Sequence, residues 1–274
     1  MKVVILALAL ALQPGPTFVF DVVTIKPNNS GSDDTSVRRP PGGIVATNAP
    51  MAMIVSMAYA ARPFQVQGLP GWMSTERFDM AAKINDSTPG AESQQAFETA
   101  LRTALADRLK LVAHWETQER PVYALVRVHP DRLGPALKRS SIDCEAMRTA
   151  GVAAAREGRP APPAPPLNTP ERVTCGIRNN GGRIMFGGNP ITTFTNIVGG
   201  ELGRMVVDRT GLEGTWDFEF AYARERGLGT TDSAGTGLPS IFTAVEEQLG
   251  LKLESTNAPM QILVIDRVER PSPD

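Results

Sequence analysis

Two stretches of this chain carry the same pattern, and that repetition constrains its fold more than any other feature. The first runs from Gly43 to Val128 and the second from Gly182 to Val268. Each reads as a short strand, a Pro-started helix, two strands, a second helix and two more strands. Pro50 opens Met51-Ala52-Met53-Ile54-Val55-Ser56-Met57-Ala58, and Pro190 opens Ile191-Thr192-Thr193-Phe194-Thr195-Asn196-Ile197-Val198. Proline suits a helix start because its missing N–H would have no partner there. Asn48 and Asn189 lie just before these helices and are expected to cap them. A short apolar run follows in each copy, Phe64-Gln65-Val66 and Met205-Val206-Val207. A Gly-framed turn comes next, Gly68 to Gly71 and Gly211 to Gly214, then an aromatic-plus-Asp strand, Phe78-Asp79-Met80 and Trp216-Asp217-Phe218.

The second halves agree as well. Phe97, Leu101, Leu105 and Leu109 recur every four residues, as do Ile241, Val245 and Leu249, so each set marks one face of an amphipathic helix. Gly250 stands where a helix C-terminus commonly needs a left-handed residue. Leu109-Lys110-Leu111 matches Leu251-Lys252-Leu253, and the run from Pro121 to Val126 matches Pro259 to Val264; both are strands by their branched content. The order is that of a split β-α-β unit with an extra final strand. It predicts an α+β protein, internally duplicated as β-α-β-β-α-β-β, with mainly antiparallel sheets and helices packed on one face.

The expected organisation is a signal peptide over 1–16, an N-terminal repeat over 17–128, a linker loop over 129–181 and a C-terminal repeat over 182–274. Met1-Lys2 precedes an unbroken apolar run from Val3 to Leu12. That is signal-peptide length and too short to span a bilayer; the small residues of Ala9-Leu10-Ala11 place cleavage between about Ala11 and Pro16. No later segment is long and apolar enough to cross a membrane, so export to the periplasm or beyond is expected. The two cysteines, Cys144 and Cys175, both fall between the repeats. In an oxidising compartment an isolated pair reads as one disulfide, with two free thiols as the alternative. Between them, Gly158 to Pro170 holds six prolines in thirteen residues. Such a run favours extended polyproline II and reads as an exposed loop tip.

Chemistry is harder to find. No phosphate-cradling or dinucleotide glycine pattern is present, and neither His-Glu-x-x-His nor Gly-x-Ser-x-Gly occurs. The two histidines, His114 and His129, have no metal-site spacing and read as surface or strand-end residues. No metal and no cofactor is expected. Net charge is −1, which gives no general attraction to nucleic acid. Glu246 and Glu247 read as a solvated helix face. What remains is a ligand groove made of the matched Gly turns and aromatic-Asp strands: Trp72, Arg77, Asp79, Asp208, Trp216 and Asp217. Aromatic rings beside carboxylates are what a sugar groove would use, and two carboxylates across a cleft would serve glycosidic hydrolysis. The competing reading of the aspartates is structural, as residues that satisfy backbone donors at turns or strand edges.

Several runs together carry a family resemblance. These are Phe18 to Pro27, Gly71-Trp72 with Arg77-Phe78-Asp79, Leu105 to Leu111, Val206 to Phe218, Phe242 to Glu254 and Val264 to Pro271. In combination they resemble the soil-associated bacterial protein family, an exported domain of unknown function, over nearly the whole chain after the leader. The family domain also occurs behind membrane metallopeptidases of the antibiotic-sensor type, which implies a sensing or interaction role. No catalytic residue is implied by the resemblance. The expectation is therefore an exported, non-enzymatic binding or interaction module with an extracytoplasmic ligand or protein partner. One alternative is a regulatory or sensor domain acting with a membrane peptidase or receptor; another is a carboxylate-based extracytoplasmic hydrolase.

Overall fold

The computed structural model describes residues 18–84, 93–160, 175–180, 182–223, 225–226, 230–231 and 237–271. The expected signal peptide and nearly all of the proline run lie outside them. The chain is an α+β protein. It opens with β1 (Val22–Pro27), β2 (Ser36–Arg38) and β3 (Gly43–Ala49), followed by α1 (Met51–Ala58), β4 (Val66–Gln67), the short α2 (Trp72–Thr75) and β5 (Phe78–Lys83). Helix α3 (Gln94–Leu109) leads into a long strand, β6 (Val112–Arg127). Then come β7 (Lys138–Arg139), α4 (Cys144–Arg156), β8 (Gly176–Asn179), β9 (Arg183–Asn189), α5 (Ile191–Leu202), β10 (Val206–Asp208) and β11 (Trp216–Ala221). The small β12 (Glu225–Arg226) and β13 (Thr230–Thr231) precede α6 (Ile241–Leu249) and the last long strand, β14 (Leu251–Arg267).

The described residues form two compact units, one made of those up to Gln118 with those from Met260 on, the other of those within Glu119–Pro259. The division falls inside β6 and β14, each of which is one continuous strand. Where the sequence reads two final strands broken before Pro121 and Pro259, there is one strand of 16 residues and one of 17. A strand tolerates proline where no neighbour needs its N–H. The outer neighbours are short: β10 pairs only with Tyr123–Leu125 and β4 only with Leu263–Val264, so neither reaches the prolines.

The first unit holds an antiparallel sheet of order β1-β5-β3-β2 and, separate from it, a ribbon from the start of β6 and the end of β14. Two contacts show that these strand ends run in opposite directions, His114 Nδ1 to Asp266 Oδ2 at 2.8 Å and Gln261 Nε2 donating to Thr117 Oγ1 at 2.7 Å. The apolar face of α3 is buried as its spacing predicts, and Phe97, Leu101, Leu105 and Leu109 pack with Ile44, Met51, Ile54, Phe78, Met80 and Leu263. Ser93 Oγ caps α3 by accepting from Ala96 N at 3.1 Å. Burying side chains of this size is worth about 1.5–3 kcal/mol each, which makes this cluster the unit's main support.

In the second unit, the antiparallel sheet has the order β7-β11-β9-β8. Its core is aromatic: Phe186 stacks on Phe218 at 4.5 Å, and Phe194 meets Phe218 edge-on at 5.0 Å. Ile241, Val245 and Leu249 of α6 are all buried in it, as their spacing predicts. The two cysteines form the disulfide. The segment they bound is not only a linker, since α4 occupies its first part. Asp143 caps that helix by accepting from Ala146 N at 2.9 Å, and the alanine-rich run behind it favours helix.

The expected caps are corrected. Pro50 and Pro190 themselves stand at the N-cap of α1 and α5, and neither helix has a side-chain cap. Asn48 lies too far back to reach the first helical amides. Its Nδ2 donates instead to Ser32 O at 2.6 Å and Asp34 O at 2.9 Å, while Asn189 Nδ2 donates to Gly187 O at 2.6 Å and Gly176 O at 3.2 Å.

Candidate functional site

The matched aspartates hold the backbone. In the first unit Thr47 and Asn48 lie opposite the single residue Asp79, and in the second Gly187 and Gly188 lie opposite Asp217. Two residues against one is a β-bulge. Asn48 has φ 54° and Gly188 φ 62°, so each bulge turns through the left-handed region just before the proline that starts a helix. Asp79 Oδ1 accepts from Asn48 N at 2.9 Å and Asn28 Nδ2 at 2.7 Å; Asp217 Oδ1 accepts from Gly188 N at 2.8 Å. Asp208 Oδ1 accepts from Thr210 N at 2.9 Å and Thr210 Oγ1 at 2.7 Å, which shapes the turn at Gly211.

The other residues of the expected groove turn to partners within their own units. Trp72 packs edge-on to Phe78 at 6.0 Å, and the Arg270 guanidinium lies 5.3 Å from its ring. Arg77 Nη1 donates to Ser74 O at 3.1 Å. Trp216 is only 5% exposed, and Arg139 sits 5.6 Å from its ring while donating to Glu213 O. In the first unit, Trp72, Arg77 and Asp79 therefore stand near one another in sequence with their side chains engaged separately.

A cleft lies elsewhere, in the second unit, where the turn after β6 meets the end of α6. Its volume is about 510 Å³, and it is lined by Val128, His129, Arg132, Leu133, Gly134, Pro135, Glu246, Glu247 and Gly250. Backbone contacts build its floor. Gln248 O, Leu249 O and Gly250 O accept from Ala136 N at 2.9 Å, Gly134 N at 2.9 Å and Val128 N at 3.0 Å. The turn thus caps the carbonyl end of the helix, which would otherwise lack partners. Gly250 ends the helix in the left-handed conformation, φ 66°. The approach is so close that a Cβ on Gly134 would meet Leu249 C at 2.2 Å, and one on Gly250 would meet Gly134 N at 2.4 Å. Arg127 Nη1 pins the turn by donating to Pro130 O at 2.6 Å, and Gln248 fastens the helix to β11 through two bonds with the Ala221 backbone.

Four charged or titratable side chains line the cleft, Glu246 and Glu247 from the helix and His129 and Arg132 from the turn. All four are exposed, and among the described residues none has an ion pair or a side-chain hydrogen bond. Elsewhere in this unit opposite charges pair readily, as in Arg183–Glu219 at 2.6 Å and Arg148–Glu145 at 2.5 Å. Two carboxylates on the last turn also oppose the helix dipole, which favours cations there by about 0.3–1 kcal/mol per charge. The arrangement can hold a polar ligand. Among the described residues no three His, Cys, Asp or Glu side chains gather as a metal would require.

Sequence reasoning passed over this site. Glu246, Glu247 and His129 read as solvated surface, and Arg132 carried no signal. The run His129-Pro130-Asp131-Arg132-Leu133-Gly134-Pro135 does announce a tight turn, but nothing in it says that Gly134 will meet Gly250.

Comparison with known proteins gives a family without an activity. The model of a family described as a protein of unknown function, DUF3738, matches residues 52–268. Neither the curated proteins nor the solved structures contain a match. A match over most of the chain shows that it belongs to the DUF3738 family.

Proposed function

We propose that this chain is an exported, non-enzymatic binding module that holds a small polar ligand in the cleft between the turn 128–135 and the end of α6. The observation that carries the reading is the set of opposite charges that line one cleft without pairing. Charged side chains left unpaired in a concave site have their interactions available for a ligand. Export is supported by the Cys144–Cys175 disulfide, a bond that persists outside reducing compartments. The apolar run Val3–Leu12 agrees with it. A binding role is favoured over carboxylate hydrolysis because Asp79, Asp208 and Asp217 each spend an oxygen on backbone N–H groups of their own unit. A role beside a membrane peptidase is compatible with such a module, with the ligand as the signal.

The test has two arms. Fractionation with N-terminal sequencing should find the chain outside the cytoplasm and shortened near Ala11 to Pro16. Isotope-labelled protein mixed with extracellular metabolite fractions should show amide shifts clustered at Val128, Gly134 and Gly250. An intact Met1 in the cytosol, or shifts that avoid the cleft in every fraction, would overturn the reading.

A further inference from the structure

We infer that the cleft is built for a zwitterion, a ligand carrying an ammonium and a carboxylate a few atoms apart, as in a free amino acid or a short peptide. The inference rests on the binding-module reading and adds the ligand class. The helix wall supplies only negative side chains, Glu246 and Glu247, and the turn wall supplies Arg132 and His129. The two signs come from different elements, and neither set neutralises the other. A purely anionic ligand would meet two carboxylates reinforced by the helix's negative end. A purely cationic ligand would meet the cationic Arg132 guanidinium. Only a ligand with both charges satisfies both walls, with the ammonium at the glutamates and the carboxylate at Arg132. Charge-assisted hydrogen bonds of this kind are the stronger ones, and guanidinium meets carboxylate through two parallel bonds.

The rest of the cleft agrees. At about 510 Å³ it falls within the range of small-molecule sites and leaves space for side chains beyond the charged pair. Val128, Leu133 and Pro135 give it an apolar lining that would accept them. The floor's helix-end carbonyls already accept from Val128, Gly134 and Ala136, so the glutamates, not the backbone, are the acceptors presented to an ammonium group.

Glycylglycine is the probe, with N-acetylglycylglycine and glycylglycinamide as analogues that lack one charge each. In amide-shift titrations, glycylglycine should move Val128, Gly134 and Gly250 and bind at least about tenfold more tightly than either analogue. Glu247 and Arg132 are exposed, so Glu247→Gln and Arg132→Gln should leave the amide spectrum dispersed. Each should cut glycylglycine binding by about tenfold and abolish the preference over the analogue lacking the matching charge. Equal binding of all three probes overturns the inference. So does a silent cleft with glycylglycine while an extract component binds there, an outcome that leaves the binding-module reading standing. Silence with the probes and with every extract overturns both.

Discussion

Asp79 accepts the backbone N–H of Asn48 at 2.9 Å, and this bond fixes the bulge through which β3 turns into α1. Asp217 does the same for Gly188 before α5. A bulge leaves an extra residue unpaired in the ladder, and its amide needs an acceptor. Removing that acceptor from a partly buried site costs about 1.5–3 kcal/mol, the range for hydrogen bonds to charged groups. Asp79→Ala and Asp217→Ala should each lower the urea unfolding midpoint accordingly. Asp79→Ala should cost more, because Asn28 Nδ2 also donates to this carboxylate. Asp79→Asn retains an acceptor and should cost less than Asp79→Ala; equal midpoints for the two would show that the bond does not hold the bulge.

The same pair of aspartates shows how much was legible from sequence. Their matched places beside Phe78 and Trp216, the Pro-started helices and the four-residue spacing of Phe97 to Leu109 are local signals, and the elements follow them. Local signals do not say which strand a segment pairs with. That is why β6 and β14 read as broken at Pro121 and Pro259, and why Asn48 read as a helix cap when its amide donates to two distant carbonyls. The cleft was hidden for the same reason. His129 and Glu246 lie over a hundred residues apart and line one cleft because the close approach of Gly134 to Gly250 brings the turn to the helix end.

The disulfide gives a second prediction. Cys144 opens α4 and Cys175 stands just before β8, with a sequence separation of 31. In the first unit the segment before β2 is tied to its bulge by Asn48; in the second Asn189 Nδ2 reaches Gly176 O, and the covalent bond ties Cys175 to the start of α4. Closing a loop of this length is worth about 3–4 kcal/mol in the chain-entropy model. The double variant Cys144→Ala with Cys175→Ala should lose that much in unfolding free energy under non-reducing conditions, and a reductant should have no further effect on it. An unchanged midpoint would mean that the bond contributes nothing to the fold.

A pH effect follows from Glu76 and Arg270. Their side chains pair at 2.7 Å, and the Arg270 hydrogen bond holds the Glu76 carboxyl below its ordinary value of 4.5. A carboxyl lowered in the folded state favours folding at pH above its unfolded value. That contribution fades as pH falls through the lower, folded value. The pair is exposed, so the change in stability is small and the titration itself is the better readout. Arg270→Gln should raise the Glu76 midpoint toward 4.5 in a carboxyl-carbon NMR titration. It should also free the Trp72 ring of its cation, which Trp fluorescence would report. An unmoved Glu76 midpoint would remove Arg270 as the cause.

Glycines at the cleft floor separate backbone strain from steric contact. Gly203 and Gly250 both end helices in the left-handed region, with φ 59° and 66°. A side chain there costs about 1–2 kcal/mol from conformation alone. At Gly203 a Cβ would meet nothing within 4 Å, so Gly203→Ala should lose only that amount. At Gly250 the same Cβ would lie 2.4 Å from Gly134 N, in a place where the backbone already makes the bonds that cap α6. Overpacking adds about 1–3 kcal/mol, so Gly250→Ala should lose about 2–5 kcal/mol in all. It should also open the cleft by pushing the turn from the helix end, which amide exchange at Gly134 and Ala136 would show as lost protection. If Gly203→Ala and Gly250→Ala proved equally costly, the contact between Gly134 and Gly250 would not be what holds the cleft together.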